Sequence, residues 1–328
     1  MAFIKKIILL GVFLGSAASA GFIYWSRQPI ASGEEPIDFS VAAGSSGGAA
    51  AQQIAAAGVQ VNPLLFSLLA RVTQKSARIK AGSYEFKPGT SPRALLEQLV
   101  RGEFAQESLT IIEGWTFRQM RQAMDASSGL KHDTASLSDK ELMKRISADF
   151  KLPEGLFFPD TYLFAKGSSD LQVYRQAHSM LLSQLNSAWD KRDPSLPYTS
   201  AYQALIMASI VEKETGQKSE RGMIAGVFIN RLKLGMLLQT DPTVIYGLGE
   251  KYDGKIHKKD LETDTPYNTY TRGGLPPTPI ALPGVQSLTA ALGPAKTDAL
   301  YFVSRGDGTS KFSASLGDHN RAVNQYQR

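Results

Sequence analysis

Residues Ala201 to Tyr246 read AYQALIMASIVEKETGQKSERGMIAGVFINRLKLGMLLQTDPTVIY. The spacing predicts an apolar helix ending in carboxylates, a short turn, a second helix and then a polar loop. Met207, Ile210, Val211 and Glu214 stand at i, i+3, i+4 and i+7 and so share one face. Glu214 therefore extends the main apolar stripe. Gly216 follows where helices commonly stop in a left-handed residue. Glu212 lies two residues back, roughly 200° round the helix, beside the small Ala208 and Ser209. The two carboxylates cannot share a face. A charged helix end accounts for most Glu-Lys-Glu triplets, but an acid on a bulky apolar stripe is different. Burial there disfavours the charged form and raises the pKa, as a general acid requires.

Downstream, Ser219 is expected to cap a helix that carries Met223, Ile224, Val227, Phe228 and Leu232 inward. Asn230 and Arg231 come near its end and Gly235 closes it. Gln239-Thr240-Asp241-Pro242-Thr243 reads as a polar turn before Val244-Ile245-Tyr246. Thr265 to Tyr270 and Gly273 to Pro277 form a second irregular stretch, dense in hydrogen-bonding and aromatic groups. Pro279 and Pro283 lead to a helix from Ser287 to Leu292. Ala299 to Val303 and Lys311 to Ser315 read as a hairpin around Gly306-Asp307-Gly308.

Upstream, Pro197 introduces the carboxylate helix, preceded by a long amphipathic helix from Leu171 to about Lys191. The run Leu152 to Tyr162 holds Phe157, Phe158 and Tyr162 with two prolines that prevent a regular helix. It is either core packing or the wall of a cleft that stacks on sugar rings. Asp125 to about Leu152 is polar and reads as helical. Before it, an extended segment, a Gly, a hydroxyl residue and a helix recur in that order three times. Ile37 to Val41 leads to Gly44-Ser45-Ser46 and an Ala-rich segment. Tyr84 to Phe86 leads to Gly89-Thr90-Ser91-Pro92 and a helix over Arg93 to Val100. Leu109 to Ile112 leads to Gly114-Trp115-Thr116 and a helix over Phe117 to Ala126. Thr116 and Gln119 make a capping box, and Pro92 suits a first helical position. Such units suggest an α+β module.

At the N-terminus, Lys5-Lys6 precede nineteen uncharged residues, Ile7 to Trp25, about enough to cross a bilayer as one helix. The positive-inside rule puts the short N-terminus in the cytoplasm and the body outside. Ala18-Ser19-Ala20 fits a signal-peptide cleavage site, but the apolar run continues past it, which favours a retained anchor.

The 328 residues have room for about two domains, and the 43% apolar fraction is ordinary for a globular protein. Without cysteine there is no disulfide, cysteine nucleophile or thiolate metal site. The four histidines, His132, His178, His257 and His319, lack metal-ligand spacing, so no metal is expected. The net charge of +6 is modest, and no nucleic-acid, phosphate-loop, dinucleotide or G-x-S-x-G motif appears, so no cofactor or nucleic acid is expected. What remains is a candidate acid between loops rich in Asn, Gln, Thr and Tyr, which suits carbohydrate. Ordinary glycoside hydrolysis needs a second carboxylate. Glu212, Glu220, Asp241 and Asp264 are the candidates for it.

Ala208 to Thr215, Glu220-Arg221, Val227 to Leu232 and Leu238 to Tyr246 resemble the MltG (YceG-like) family of endolytic murein transglycosylases. So do Tyr267 to Tyr270, Gly274 to Pro277, Tyr301 to Val303 and His319-Asn320. The N-terminal half matches more loosely, through the anchor, Lys80 to Tyr84 and Glu113-Gly114. The resemblance implies an α+β protein in three parts. Residues 1–33 would be the cytoplasmic tip, transmembrane anchor and linker, and 34–113 a LysM-like, glycan-binding module. Residues 114–328 would form a mixed α/β catalytic domain with a lysozyme-like helical active-site region.

The implied activity is cleavage of the β-1,4 bond between N-acetylmuramic acid and N-acetylglucosamine inside nascent peptidoglycan strands. It leaves 1,6-anhydro ends and terminates strand elongation. Glu214 matches the family's catalytic acid, with Glu212 in reserve for that role; its place beside small residues also suits it to hold a loop by hydrogen bonds. Glu220, Asn230, Gln239, Thr240, Asp241, Tyr246, Tyr267 and Asn268 are expected to line the cleft or orient Glu214. The implied location is the bacterial inner membrane with the catalytic domain in the periplasm, and peptidoglycan synthases are the implied partners. A non-catalytic glycan-binding scaffold is the rival reading, and a hydrolytic muramidase a third.

Overall fold

The computed structural model describes residues 2–146, 149–150 and 152–327. The chain is mixed α+β and forms two compact units. The first comprises residues up to Glu107 together with Leu163–Ser168, and the second comprises Ser108–Tyr162 and Ser169–Arg328.

The first unit opens with helix α1 (Ala2–Arg27). Its most apolar stretch is wholly unburied, whereas Phe22, Trp25 and Ser26 near its end are partly or fully covered. Strand β1 (Ile37–Val41), helices α2 (Gly47–Ala56) and α3 (Pro63–Val72), strand β2 (Gly82–Phe86) and helix α4 (Pro92–Arg101) follow. β1 and β2 run antiparallel with Phe39 opposite Tyr84, and their rings stack at 5.5 Å. Side chains capping the helices fix the entries: Ser46 accepts from Ala49 N–H and Ser91 from Ala94 N–H, with Pro92 in the first turn of α4. Each satisfies an otherwise orphaned donor. Ile54, Phe66, Leu95 and Leu99 fill the core, and Phe22 and Trp25 of α1 pack against it. Helix α3 is not among the elements expected from the sequence.

Strand β3 (Gln106–Thr110) leads into helix α5 (Phe117–Ala126), which has the expected capping box between Thr116 and Gln119. The next stretch is not one helix. It contains a two-residue strand, β4 (Leu130–Lys131), turns, and the short helix α6 (Asp139–Arg145) capped by Ser138. Ser147, Ala148 and Lys151, within that expected helix, lie outside the described residues, as do Met1 and Arg328. The run from Pro153 to Pro159 is irregular and buried, including Phe157 and Phe158. It is core packing, not a cleft wall. Strands β5 (Thr161–Ala165) and β6 (Ser168–Ser169) precede the long helix α7 (Asp170–Asp190).

Helix α8 (Ala201–Glu214) is the centre of the second unit. Ser200 caps it by accepting from Gln203 N–H, and Ala204 through Val211 are all buried. A helix apolar all round belongs inside a core, and α7, α9 and α12 pack against this one. Its end differs from expectation. Thr215, in extended conformation, breaks the helix, and Gly216 is not left-handed. Ser219 is not a cap either: Lys218–Glu220 make a 3-10 turn that runs into α9 (Arg221–Lys233) with no side-chain cap. Gly235, at φ +68°, does end that helix.

The expected polar loop is instead helix α10 (Asp241–Leu248), with Thr240 at its N-cap and Pro242 in its first turn. Pro is tolerated there because its missing N–H would be unpaired anyway. Helices α11 (Lys258–Glu262) and α12 (Val285–Leu292) follow. The hairpin is present as β7 (Tyr301–Ser304) and β8 (Ser310–Ser313), paired antiparallel. A final helix, α13 (Leu316–Tyr326), also not expected from the sequence, packs on it.

Candidate active site

Glu214 is the last residue of α8, where the buried helix emerges into an open cleft of about 1,050 Å³. Its carboxyl is pushed up to about 7, first by desolvation; Asp241 raises it further. The negative end of the α8 dipole acts in the same direction on a carboxylate at a helix C-terminus. Two groups oppose this. The Thr240 hydroxyl donates to Glu214 Oε1, and the Arg231 guanidinium stabilises the charged form. The result is an acid that holds its proton well above the ordinary carboxyl range, yet with a hydrogen bond and a cation ready to hold its anion.

The loop before α10 delivers those groups. Gln239 takes a left-handed conformation, φ +49°, and its N–H donates to Thr269 O at 3.1 Å. Thr240 N–H donates to Thr269 Oγ1 at 3.0 Å. This pins Thr240 against Glu214 and turns Gln239 and Asp241 into the cleft. Tyr270 donates to Asp241 Oδ1 at 2.6 Å.

Glu212 lies behind the cleft, almost wholly buried. Its Oε1 receives Arg221 Nη2 at 2.8 Å and its Oε2 receives Gly284 N–H at 2.9 Å. A Cβ on residue 284 would fall 1.9 Å from Glu113 Oε1, so any larger residue there would displace the exposed Glu113 side chain. Lys213 Nζ donates to Gly114 O at 3.2 Å, and Gly114 N–H to Leu282 O at 2.9 Å. The end of α8 is therefore fixed on two sides.

The other expected residues serve elsewhere. Glu220 accepts from Ser310 N–H at 2.8 Å, tying α9 to β8. Asn230 donates to Thr297 O and Ala299 O, holding the chain ahead of β7. Tyr246 donates to Glu154 at 3.0 Å and packs edge-on against Tyr267, whose hydroxyl pairs with Thr278. Asn268 donates to the carbonyls of Asp260, Leu261 and Thr263. None of these five lines the cleft around Glu214. Of the second-carboxylate candidates, Asp241 alone shares that cleft; Asp264 is exposed and held by Arg272 at 2.7 Å.

Arg231, Tyr270, Tyr301 and His319 also line the cleft, though they are not among the residues expected there. Arg231 donates to Leu300 O at 2.7 Å and Leu238 O at 2.9 Å while lying over Tyr301. Its signal is present in the sequence: it continues the buried stripe of Ile224, Val227 and Phe228 at i+3 and i+4 spacing. His319 stacks on Tyr301 at 5.1 Å, and burial, then Arg231, lowers its pKa. Glu154 is a further buried acid pushed up to about 7 by desolvation, although Phe117 N–H and Tyr246 donate to it. An acid inside the apolar run from Leu152 to Phe158 is its trace in the sequence.

These observations define an α+β protein whose central helix ends in a desolvated carboxylic acid within a polar and aromatic cleft. The model of the YceG-like family matches residues 39–325, and the chain belongs to that family. A protein of Bacillus subtilis strain 168 named endolytic murein transglycosylase is 36% identical over 266 residues, covering 75% of this chain and 73% of its own length. One of the same name from Streptococcus pneumoniae serotype 2 is 28% identical and covers 96% of this chain, which spans 64% of that relative. A crystal structure of a yceG-like protein from Listeria monocytogenes matches with a TM-score of 0.57 at 33% identity, covering 88% of this chain and 99% of that one.

Proposed function

We propose that this protein is an endolytic lytic transglycosylase of peptidoglycan. The observation that carries the reading is the Glu214 carboxyl, raised to about 7 in an open cleft and bonded by Thr240. One such group can serve twice. Protonated Glu214 gives its proton to the bridging oxygen as the bond from muramic C1 to that oxygen breaks, freeing the 4-hydroxyl of N-acetylglucosamine. The carboxylate then takes the proton of the muramic C6 hydroxyl as that oxygen bonds to C1. The product is a 1,6-anhydro ring, water is not consumed, and Glu214 is again protonated. Thr240 and Arg231 stabilise the carboxylate between the two transfers, while Tyr270 offers an aromatic ring in the cleft to the sugars.

The names carried by the B. subtilis and S. pneumoniae relatives support the same substrate and reaction. The exposed apolar helix α1 supports a single-pass membrane anchor, and with Lys5-Lys6 at its start we read it as crossing the inner membrane with the remainder in the periplasm. There the enzyme would cut nascent strands beside their synthases and so terminate elongation. We assign glycan binding to a LysM-like module over 34–113 and catalysis to 114–328, with a lysozyme-like arrangement around α8.

The test is mass spectrometry of products from uncrosslinked glycan strands incubated with the full chain in detergent. Internal fragments with 1,6-anhydromuramic ends are expected. Products heavier by one water would mean hydrolysis, with Asp241 as the second carboxylate, and strands bound but uncut would mean a scaffold.

A further inference from the structure

Helix α3 has two apolar faces. Phe66, Leu69 and Ala70 are buried in the core of the first unit. Leu64, Leu68 and Val72, at i, i+4 and i+8, form a second stripe that is 82%, 44% and 60% exposed. Side chains four apart lie one above the other, so this is a continuous strip of hydrocarbon on the surface.

Two features say what covers it. The first is position. Gln60 and Val61, just ahead of α3, line one small cleft with Trp25, Gln28, Pro29 and Ile30. The stripe therefore begins beside the point where α1 ends, and Phe22 and Trp25 of α1 are packed into the same core that α3 covers. The second is charge. From Ser40 to Tyr84 there is no Asp or Glu, whereas Arg71 sits within the stripe and Lys75, Arg78 and Lys80 follow it. Lys75 is paired with Glu97 of α4 and Lys80 Nζ donates to Arg101 O, which leaves Arg71 and Arg78 as the free basic groups of this stretch among the described residues. Arg71, Arg78 and Lys80 are exposed. Leucines on one side with basic residues at the margin are what an interfacial helix needs to sit among anionic headgroups.

We propose that α3 is a second membrane contact, its Leu64, Leu68 and Val72 edge seated in the outer headgroup layer of the bilayer that α1 spans. The inference rests on reading α1 as a membrane anchor. It makes the first unit a footplate bound at two points rather than a body swinging on one helix.

The chain has no cysteine, so single substitutions label uniquely. Full-length protein carrying Leu64→Cys, Leu68→Cys or Val72→Cys is labelled with an environment-sensitive fluorophore. It is then reconstituted into vesicles of phosphatidylethanolamine and phosphatidylglycerol. Leu9→Cys in α1 reports insertion of the anchor, and Lys87→Cys, exposed on the same unit, reports water. The labels on α3 should shift to the blue, lose most of their emission to lipids bearing a headgroup-level nitroxide, and resist iodide. The Lys87→Cys label should do the opposite. Labels on α3 that iodide reaches as freely as Lys87→Cys, while a deep nitroxide quenches Leu9→Cys, would overturn the inference and leave the anchor intact. Labels protected from iodide yet untouched by lipid nitroxide would mean a protein partner or a second copy, and would overturn it too. A Leu9→Cys label beyond the reach of the deep nitroxide would overturn the anchor and the inference together.

Discussion

Arg221 Nη2 stands 2.8 Å from Glu212 Oε1, with both side chains all but removed from water at 6% and 5% exposure. The other Glu212 oxygen accepts from Gly284 N–H, so one carboxylate joins α8, α9 and the start of α12. Removing one member of a buried pair leaves the other charge uncompensated, at a cost of about 3–5 kcal/mol. Glu212→Ala should lower unfolding stability by that order in urea titrations. It should also lower turnover, because Glu214 is two residues away. Glu214→Gln should show no comparable loss of stability.

Glu214→Gln should reduce turnover roughly 10²- to 10⁴-fold, the usual worth of a general acid–base group. Glycan binding measured by calorimetry should be unchanged, since Gln keeps the shape and accepts from Thr240. Full activity in this variant would exclude Glu214 as the acid.

Turnover should fall as pH rises through about 7, because the first step needs protonated Glu214. Stability should move the same way. Glu214 and Glu154 titrate near 4.5 when unfolded and about 7 when folded, so the folded state binds more protons in between. Their contribution is therefore fully present below about 4.5 and lost as pH rises to about 7. Melting curves of the Glu154→Gln, Glu214→Gln double variant should lose that slope.

Thr240→Val and Arg231→Gln each remove a group that holds the Glu214 carboxylate. Both should move the alkaline limb of the pH–rate profile upward. Arg231→Gln should also destabilise the fold, since Leu238 O and Leu300 O lose their donor. A limb unmoved in both variants would detach these residues from the acid.

Asn230→Ala should act on stability rather than chemistry. Its amide satisfies Thr297 O and Ala299 O, and leaving buried acceptors unpaired costs about 1–3 kcal/mol. Chemical unfolding should show the loss, while KM stays near that of the parent protein.

Elements that combine local punctuation with a clear period are legible along the chain. Thr116 with Gln119, Pro92 after Ser91 and the Gly306–Gly308 turn all act within a few residues, where chain spacing alone sets geometry. Punctuation without a clear period is not enough. Asn62 caps α3 and Ser315 caps α13, yet α3 is apolar on two faces and α13 buries only Ala322, so neither shows a single apolar stripe. The segment after Gln239 reads as a turn because Thr240 caps α10 with no side-chain bond.

The acid is legible for the same local reason. A period of 3.6 residues places Glu214 with Met207, Ile210 and Val211 and turns Glu212 away from them. The sequence by itself thus determined the central helix, the acid at its end, the apolar α1 and the family. Only the tertiary structure decided which polar residues meet that acid. Thr240 reaches it from 26 residues away, while Asn230 and Asn268, equally polar, are taken up by backbone carbonyls. Buried carbonyls left over where helices and loops meet must find donors. Which side chains they claim depends on how the helices pack, and no spacing along the chain records that.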